Sequence, residues 1–116
     1  MNLDEQLGIK HHFADHLYAK EMRIDAGMRV EKHMHDYTHL SILGKGRVEV
    51  KTWETDKDGL KSMLREEYKA PACIEIPANV PHQITALTNA VWYCIHATDE
   101  TDPAKVDQVL IEKGRT

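Results

Sequence analysis

From residue 17 onward the chain is cut into short segments by turn residues, and within the segments apolar and polar side chains alternate with a period of two. Leu17 to Ile24 alternates, Asp25-Ala26-Gly27 interrupts it, and Met28 to His35 resumes an extended pattern. Asp36 opens a turn into Tyr37 to Leu43, and Gly44-Lys45-Gly46 makes another. Arg47 to Glu54 is the cleanest segment, with Val48 and Val50 on one face and Arg47, Glu49 and Lys51 on the other. Asp58-Gly59 is a hairpin signal that returns the chain through Leu60 to Tyr68. Cys73 to Ile76, stopped by Pro77, is followed by His82 to Leu87 and Val91 to Ala97, which brings the set to about eight strands. Strands this short, with turns this frequent, predict an all-β sandwich or barrel.

The ends of the chain read differently. Asp102 is suited to an N-cap and Pro103 to a first helical position, Val106, Val109 and Leu110 recur at helical spacing, and Gly114 can close the helix. This predicts one amphipathic helix over residues 103–113. Near the start, Leu3, Leu7 and Ile9 suggest a helical stripe that Gly8 interrupts. At 116 residues the chain is expected to be one domain, 1–116, with a barrel over about 17–98. A formal charge of −4 argues against nucleic acid or an anionic membrane as partner. No apolar run approaches the roughly 20 residues of a membrane span, and the opening MNLDEQLGIK lacks a signal peptide's apolar stretch, so a cytoplasmic location is expected. Two cysteines, Cys73 and Cys94, are too few for a disulfide scaffold and are read as reduced thiols.

Histidine is the compositional anomaly, with eight beside a single phenylalanine. Gly27 is followed by five residues, then His33-Met34-His35, three residues, His39, six residues and Gly46. Histidines at i and i+2 on a strand share a face, and a strand returning after a short turn brings His39 beside them. His82 follows the turn Pro77-Ala78-Asn79-Val80-Pro81 and begins a later strand. Imidazole is the commonest ligand of first-row transition metals, so the four histidines are candidate ligands of one ion. His11, His12 and His16 are read as an exposed face or arm. His96 shares strand parity with Trp92 and Cys94, opposite Val91, Tyr93 and Ile95. If the first set faces inward, His96 is an acid/base or substrate-orienting residue and Cys94 brings a thiol near the metal. In the other case His96 is a surface residue. Tyr37, between the motif histidines, is a candidate hydrogen-bond donor near the metal or a turn-packing residue.

In this spacing the sequence resembles the cupin superfamily, whose first motif reads G-x5-H-x-H-x3,4-E-x6-G. Gly27, His33, His35 and Gly46 match, and His39 stands where the glutamate would be. Of the second motif, G-x5-P-x-G-x2-H-x3-N, Pro77 and His82 match, while Pro71, Asn79 and Ala86 replace the leading glycine, the inner glycine and the asparagine. Asn79 is a mild change, since asparagine tolerates a left-handed backbone. The resemblance implies a single-domain cupin, a double-stranded β-helix or jelly-roll barrel with a short C-terminal α-helix. It also implies one divalent transition metal on His33, His35, His39 and His82, with Fe(II) favoured and Mn, Ni, Zn or Cu as alternatives.

Three functions follow from such a site. The first is a mononuclear non-haem oxygenase of the dioxygenase type acting on a small organic substrate, an analogy of fold. The second is a non-oxidative isomerase or lyase in which the metal acts as a Lewis acid on a sugar acid or related metabolite, with His96, Tyr37 or Glu31 as base. The third is a ligand-binding module without turnover. The expectation leans to a metal-dependent oxidoreductase. Met28, Val30 and Met34 oppose His33 and His35 in parity, and Leu40 and Ile42 oppose His39. These apolar residues need a cover, either through a β-bulge that shifts parity or through a homodimer, and the homodimer is favoured.

Overall fold

The structure, a computed structural model, describes residues 8–35 and 37–106, with the side chains of residues 31–33 outside that description. Among the described residues nine strands follow one another: β1 (Ile9–Ala14), β2 (Leu17–Ile24), β3 (Arg29–His33), β4 (His39–Lys45), β5 (Arg47–Thr55), β6 (Lys61–Lys69), β7 (Ala72–Ile76), β8 (His82–Ala86) and β9 (Ala90–Ala97). They form a five-stranded sheet in the order β1-β2-β9-β4-β7 and a four-stranded sheet in the order β3-β8-β5-β6. Every pairing is antiparallel. Strands distant in sequence are neighbours in both sheets, so the chain crosses repeatedly between the layers and makes a jelly roll.

Strands β2 and β5 to β9 lie where the alternation places them, while β3 is shorter than expected and β4 begins at His39 and continues to Lys45, through the first two residues of the expected Gly44-Lys45-Gly46 turn. β1 corrects the expectation of a helical stripe through Ile9 and moves the start of the barrel from about residue 17 to Ile9. Its cause is non-local. Every β1 residue pairs with β2, from Ile9 opposite Met22 to Ala14 opposite Leu17, and Ile9, His11 and Phe13 are half-buried while Lys10, His12 and Ala14 are exposed. Leu3 and Leu7 lie outside the described residues. The core between the sheets includes Met22, Ile24, Leu43, Val48, Val50, Ile74, Ile76, Ile84 and Trp92. Each large apolar side chain removed from water there contributes roughly 1.5–3 kcal/mol.

Turn chemistry fixes the connections. At the β5–β6 hairpin the Asp56 carboxylate accepts from the N–H groups of Asp58 at 2.9 Å and Leu60 at 2.8 Å, and Gly59 supplies a φ of 81°. After β9 the backbone turns helical at residues 103–106, where Asp102 Oδ1 accepts from Ala104 N–H at 2.9 Å as an N-cap does. Val106 is buried against Tyr18, alongside Phe13 and Tyr37. The remainder of the helix expected to residue 113 lies outside the described residues. Among the described residues no helix is long and apolar enough to cross a membrane.

Gly46, the last glycine of the first motif, has φ 86°, and a Cβ there would stand 2.2 Å from the Asn89 carbonyl oxygen. Gly59 has a similar φ of 81° with nothing within 4 Å of the Cβ position. An L-residue in the left-handed region costs roughly 1–2 kcal/mol, so Gly59→Ala should lose that amount, and Gly46→Ala clearly more because backbone must also move. Thermal melts of the two variants check this, and equal losses would contradict it.

Candidate metal centre

Burial alternates strictly along the two strands at the middle of the five-stranded sheet. On β4, His39, Ser41 and Leu43 are buried while Leu40 and Ile42 are exposed. On β9, Ala90, Trp92, Cys94 and His96 are buried while Val91, Tyr93 and Ile95 are half-buried. The register sets Ser41 opposite Cys94 and Leu43 opposite Trp92. The parity left open by the sequence is thereby settled: His96 and Cys94 face the interior, beside His39.

The opposite sheet brings the second motif to the same place. His82 opens β8 and is 1% exposed. Its Nδ1 lies 3.2 Å from the Val80 carbonyl oxygen, an acceptor, so Nδ1 carries the proton and Nε2 the lone pair. Asn79, at φ 62°, adopts the left-handed backbone expected of it. Its N–H donates to the His35 carbonyl at 2.7 Å, and Ala78 N–H donates to Thr38 Oγ1 at 3.2 Å. These bonds tie the turn before β8 to the connection between β3 and β4, which carries His35 and Tyr37.

Strand β3 is shorter than the expected run to His35. It ends at His33, and its pairing with β8 shifts between Val30, opposite Ile84, and His33, opposite His82. Three steps on β3 span two on β8, an inserted residue of the kind that makes a bulge. The side chains of Glu31 and His33 lie outside the described residues, and the backbone register is what locates His33 beside the second-motif histidine. Val30 packs against the core, whereas Met28 and Met34 are 59% and 51% exposed.

Among the described side chains four imidazoles gather at this end of the barrel. The His39 ring centroid lies 4.8 Å from that of His96, 5.4 Å from His35 and 5.8 Å from His82, and His35 and His96 are 5.2 Å apart. Tyr37 stacks on His35 at 5.0 Å, and its hydroxyl lies 2.9 Å from His96 Nδ1. The ligand atoms of His39, Cys94 and His96, all buried, lie within 4.8 Å of one another. Around a tetrahedral ion with bonds of roughly 2.0–2.3 Å the donors sit about 3.3–3.8 Å apart, so small side-chain rotations close this trio. Imidazole nitrogen and thiol sulfur suit a divalent transition metal, and the donor set fits one.

Tyr18 is the residue that sequence reasoning missed. It is 1% exposed, its ring stacks on His96 at 6.1 Å, and its hydroxyl lies 2.7 Å from His11 Nδ1. His11 is therefore held against the barrel, while His16, at the turn before β2, pairs with Asp99 on the surface. The alternation Tyr18, Met22, Ile24 was present in the sequence, but the contact with His96 depends on pairing β2 with β9 across the chain.

No protein-family model matches the sequence, and no curated protein matches it. Solved structures do. An oxalate decarboxylase variant of Bacillus subtilis aligns at TM-score 0.61 and 18% identity over 78% of this chain, which spans 23% of that longer protein. A Bacillus halodurans protein aligns at TM-score 0.64 and 22% identity, over 88% of this chain and 82% of its own. An RmlC-like cupin family protein with a double-stranded β-helix fold, from Methanocaldococcus jannaschii, aligns at TM-score 0.61 and 16% identity, over 85% and 84% of the two chains. The likeness is one of fold: this chain is a double-stranded β-helix of the cupin type with a cluster of potential metal ligands inside it.

Proposed function

We propose that the protein is a mononuclear non-haem oxygenase of the dioxygenase type, holding one divalent transition metal, Fe(II) by preference, and acting on a small organic molecule. The observation that carries this reading is the gathering of His35, His82 and His96 around His39 at 4.8–5.8 Å between ring centroids. The ligands are His33, His35, His39 and His82, the set that the motif spacing implies. When bound, such an ion supplies open coordination positions at which substrate and O₂ meet. The protein's own part is to present lone pairs and to handle a proton. Val80 fixes the His82 tautomer through its carbonyl. Tyr37 and His96, 2.9 Å apart, form a pair that orients substrate and holds one proton between Oη and Nδ1. Tyr18 and Val106, both buried, back this pair with apolar surface.

A second reading is favoured by the likeness to oxalate decarboxylase, one structure of which is described for its Mn(II) centres. In that reading the histidine cluster would hold Mn(II) or a similar ion, which would supply Lewis acidity toward a carboxylate or carbonyl substrate, and the Tyr37–His96 pair serves as acid and base without O₂. Oxygen-electrode assays on the Fe(II)-loaded protein, with a panel of small aromatic, diketone and thiol compounds, separate the two. The oxygenase should consume O₂ with at least one of them and lose all turnover when air is excluded or His39 is replaced by alanine. Product formed anaerobically with Mn(II) or Zn(II) would contradict it and establish the second reading.

The outer face of the five-stranded sheet supports a homodimer. Leu17, Leu40 and Ile42 are 49%, 46% and 36% exposed there, next to half-buried Tyr93 and Ile95. A sheet face of this composition is stabilised by a second apolar layer. Sedimentation should therefore give the mass of a dimer, converted towards monomer by Leu40→Glu. A monomeric wild-type protein would contradict the assembly.

A further inference from the structure

We infer that His39, Cys94 and His96 form a thiolate-containing metal site that shares His39 with the four-histidine set and takes thiophilic ions such as Zn(II) or Cu(I). This rests on the reading above, that the histidine cluster holds a metal. The observations that extend it concern sulfur. Cys94 is 4% exposed, on the inward face of β9, with its Sγ inside the trio whose donor atoms lie within 4.8 Å of one another. Two donors converge on that sulfur: the Trp92 indole N–H at 3.3 Å and the Ser41 hydroxyl at 3.8 Å. Both come from residues that are essentially inaccessible, at 0% and 1% exposure.

A small apolar filler would need neither of these contacts. The indole is a donor only, and donors aimed at a sulfur favour its anionic, metal-binding form. They also fix the direction of the sulfur's remaining lone pairs, as outer-layer partners of metal ligands do. Cys94, on β9, and Ser41, on β4, face each other directly in the register, so the arrangement is built into the sheet rather than into a loop. On coordination the S–H bond is replaced by a sulfur–metal bond and the proton passes to solvent, with no change of oxidation state. Soft thiolate selects Zn(II) and Cu(I), whereas imidazoles alone also suit Fe(II) and Ni(II). Because His39 belongs to both sets, one ion at a time can hold it. A thiophilic ion therefore displaces the ion on the four histidines.

Co(II) reports the sulfur directly, since a cobalt–thiolate bond gives an intense near-ultraviolet charge-transfer band that cobalt on imidazole lacks. The full chain titrated with Co(II) should develop this band to saturation. Cys94→Ser, close in volume to the native residue, should abolish it while Co(II) still binds through the histidines. Cys73→Ser should keep the band, because Cys73 is the exposed thiol on β7. Circular dichroism of each variant confirms the fold, and Cys94→Ala provides a second replacement should the serine variant fail to fold. Stoichiometric Co(II) binding without the band in the wild type would overturn this inference and leave the histidine site standing. No Co(II) binding at all would overturn both, and a band lost only in Cys73→Ser would place the thiolate on Cys73 and overturn the assignment to Cys94.

Discussion

The pairing of β4 with β9 is the constraint on which the rest depends. Ser41 stands opposite Cys94 and Leu43 opposite Trp92, and this register sends His39, Cys94 and His96 to the interior together. A one-residue slip of either strand would turn its own inward residues to the outer face, His39 on β4 or Cys94 and His96 on β9, and so part the three. The apolar partners hold the register. Leu43 and Trp92 are wholly buried one step further along the same strands, so moving the polar residues would also expose the largest side chains of the core. The irregularity between Leu43 and Lys45 ends the regular pairing at Gly44, where a Cβ would press on the Tyr93 ring at 3.2 Å. Core and site are two ends of one pair of strands, and packing at one end fixes chemistry at the other.

Around that pair the second sheet and the β3–β4 connection complete a cluster rich in borderline-soft donors. Its character is set by what is missing as much as by what is present. The trio of His39, Cys94 and His96 contains no carboxylate, so a divalent ion held by imidazoles alone would keep its full charge, and one held with the thiolate would have that charge lowered by one unit. Which donors engage thus decides the Lewis acidity available to a substrate. Tyr37 and Tyr18 contact His96 from two elements, one by hydrogen bond and one by ring stacking.

Much of this was legible in the sequence, because it is written in local signals. Strands β2 to β9 announce themselves by alternation and turn residues, and Gly59, Asn79 and Asp102 do in the structure what their chemistry implies at those positions. The motif spacing pointed to His35, His39 and His82, which the fold brings together, and to His33, which the register sets opposite His82. What was illegible is non-local. β1 is a strand because β2 offers it an edge, which six residues ending in alternating exposed positions cannot reveal alone. The inward parity of His96 and Cys94 follows from the β4 partner, and the role of Tyr18 follows from β9. The inserted residue between Val30 and His33 resolves the apparent conflict of parity on β3, since it lets Val30 reach the core and still brings His33 opposite His82.

The central claim is that the cluster around His39 binds a metal ion. Elemental analysis of gently purified, untagged protein, before and after reconstitution with Fe(II), tests it most directly, with His39→Ala measured alongside. The account predicts close to a single equivalent of a divalent transition metal per chain in the wild type and a marked loss in the variant, with the fold retained by circular dichroism. A wild-type protein that takes up no metal after reconstitution, or a His39→Ala variant that remains fully loaded, would contradict it.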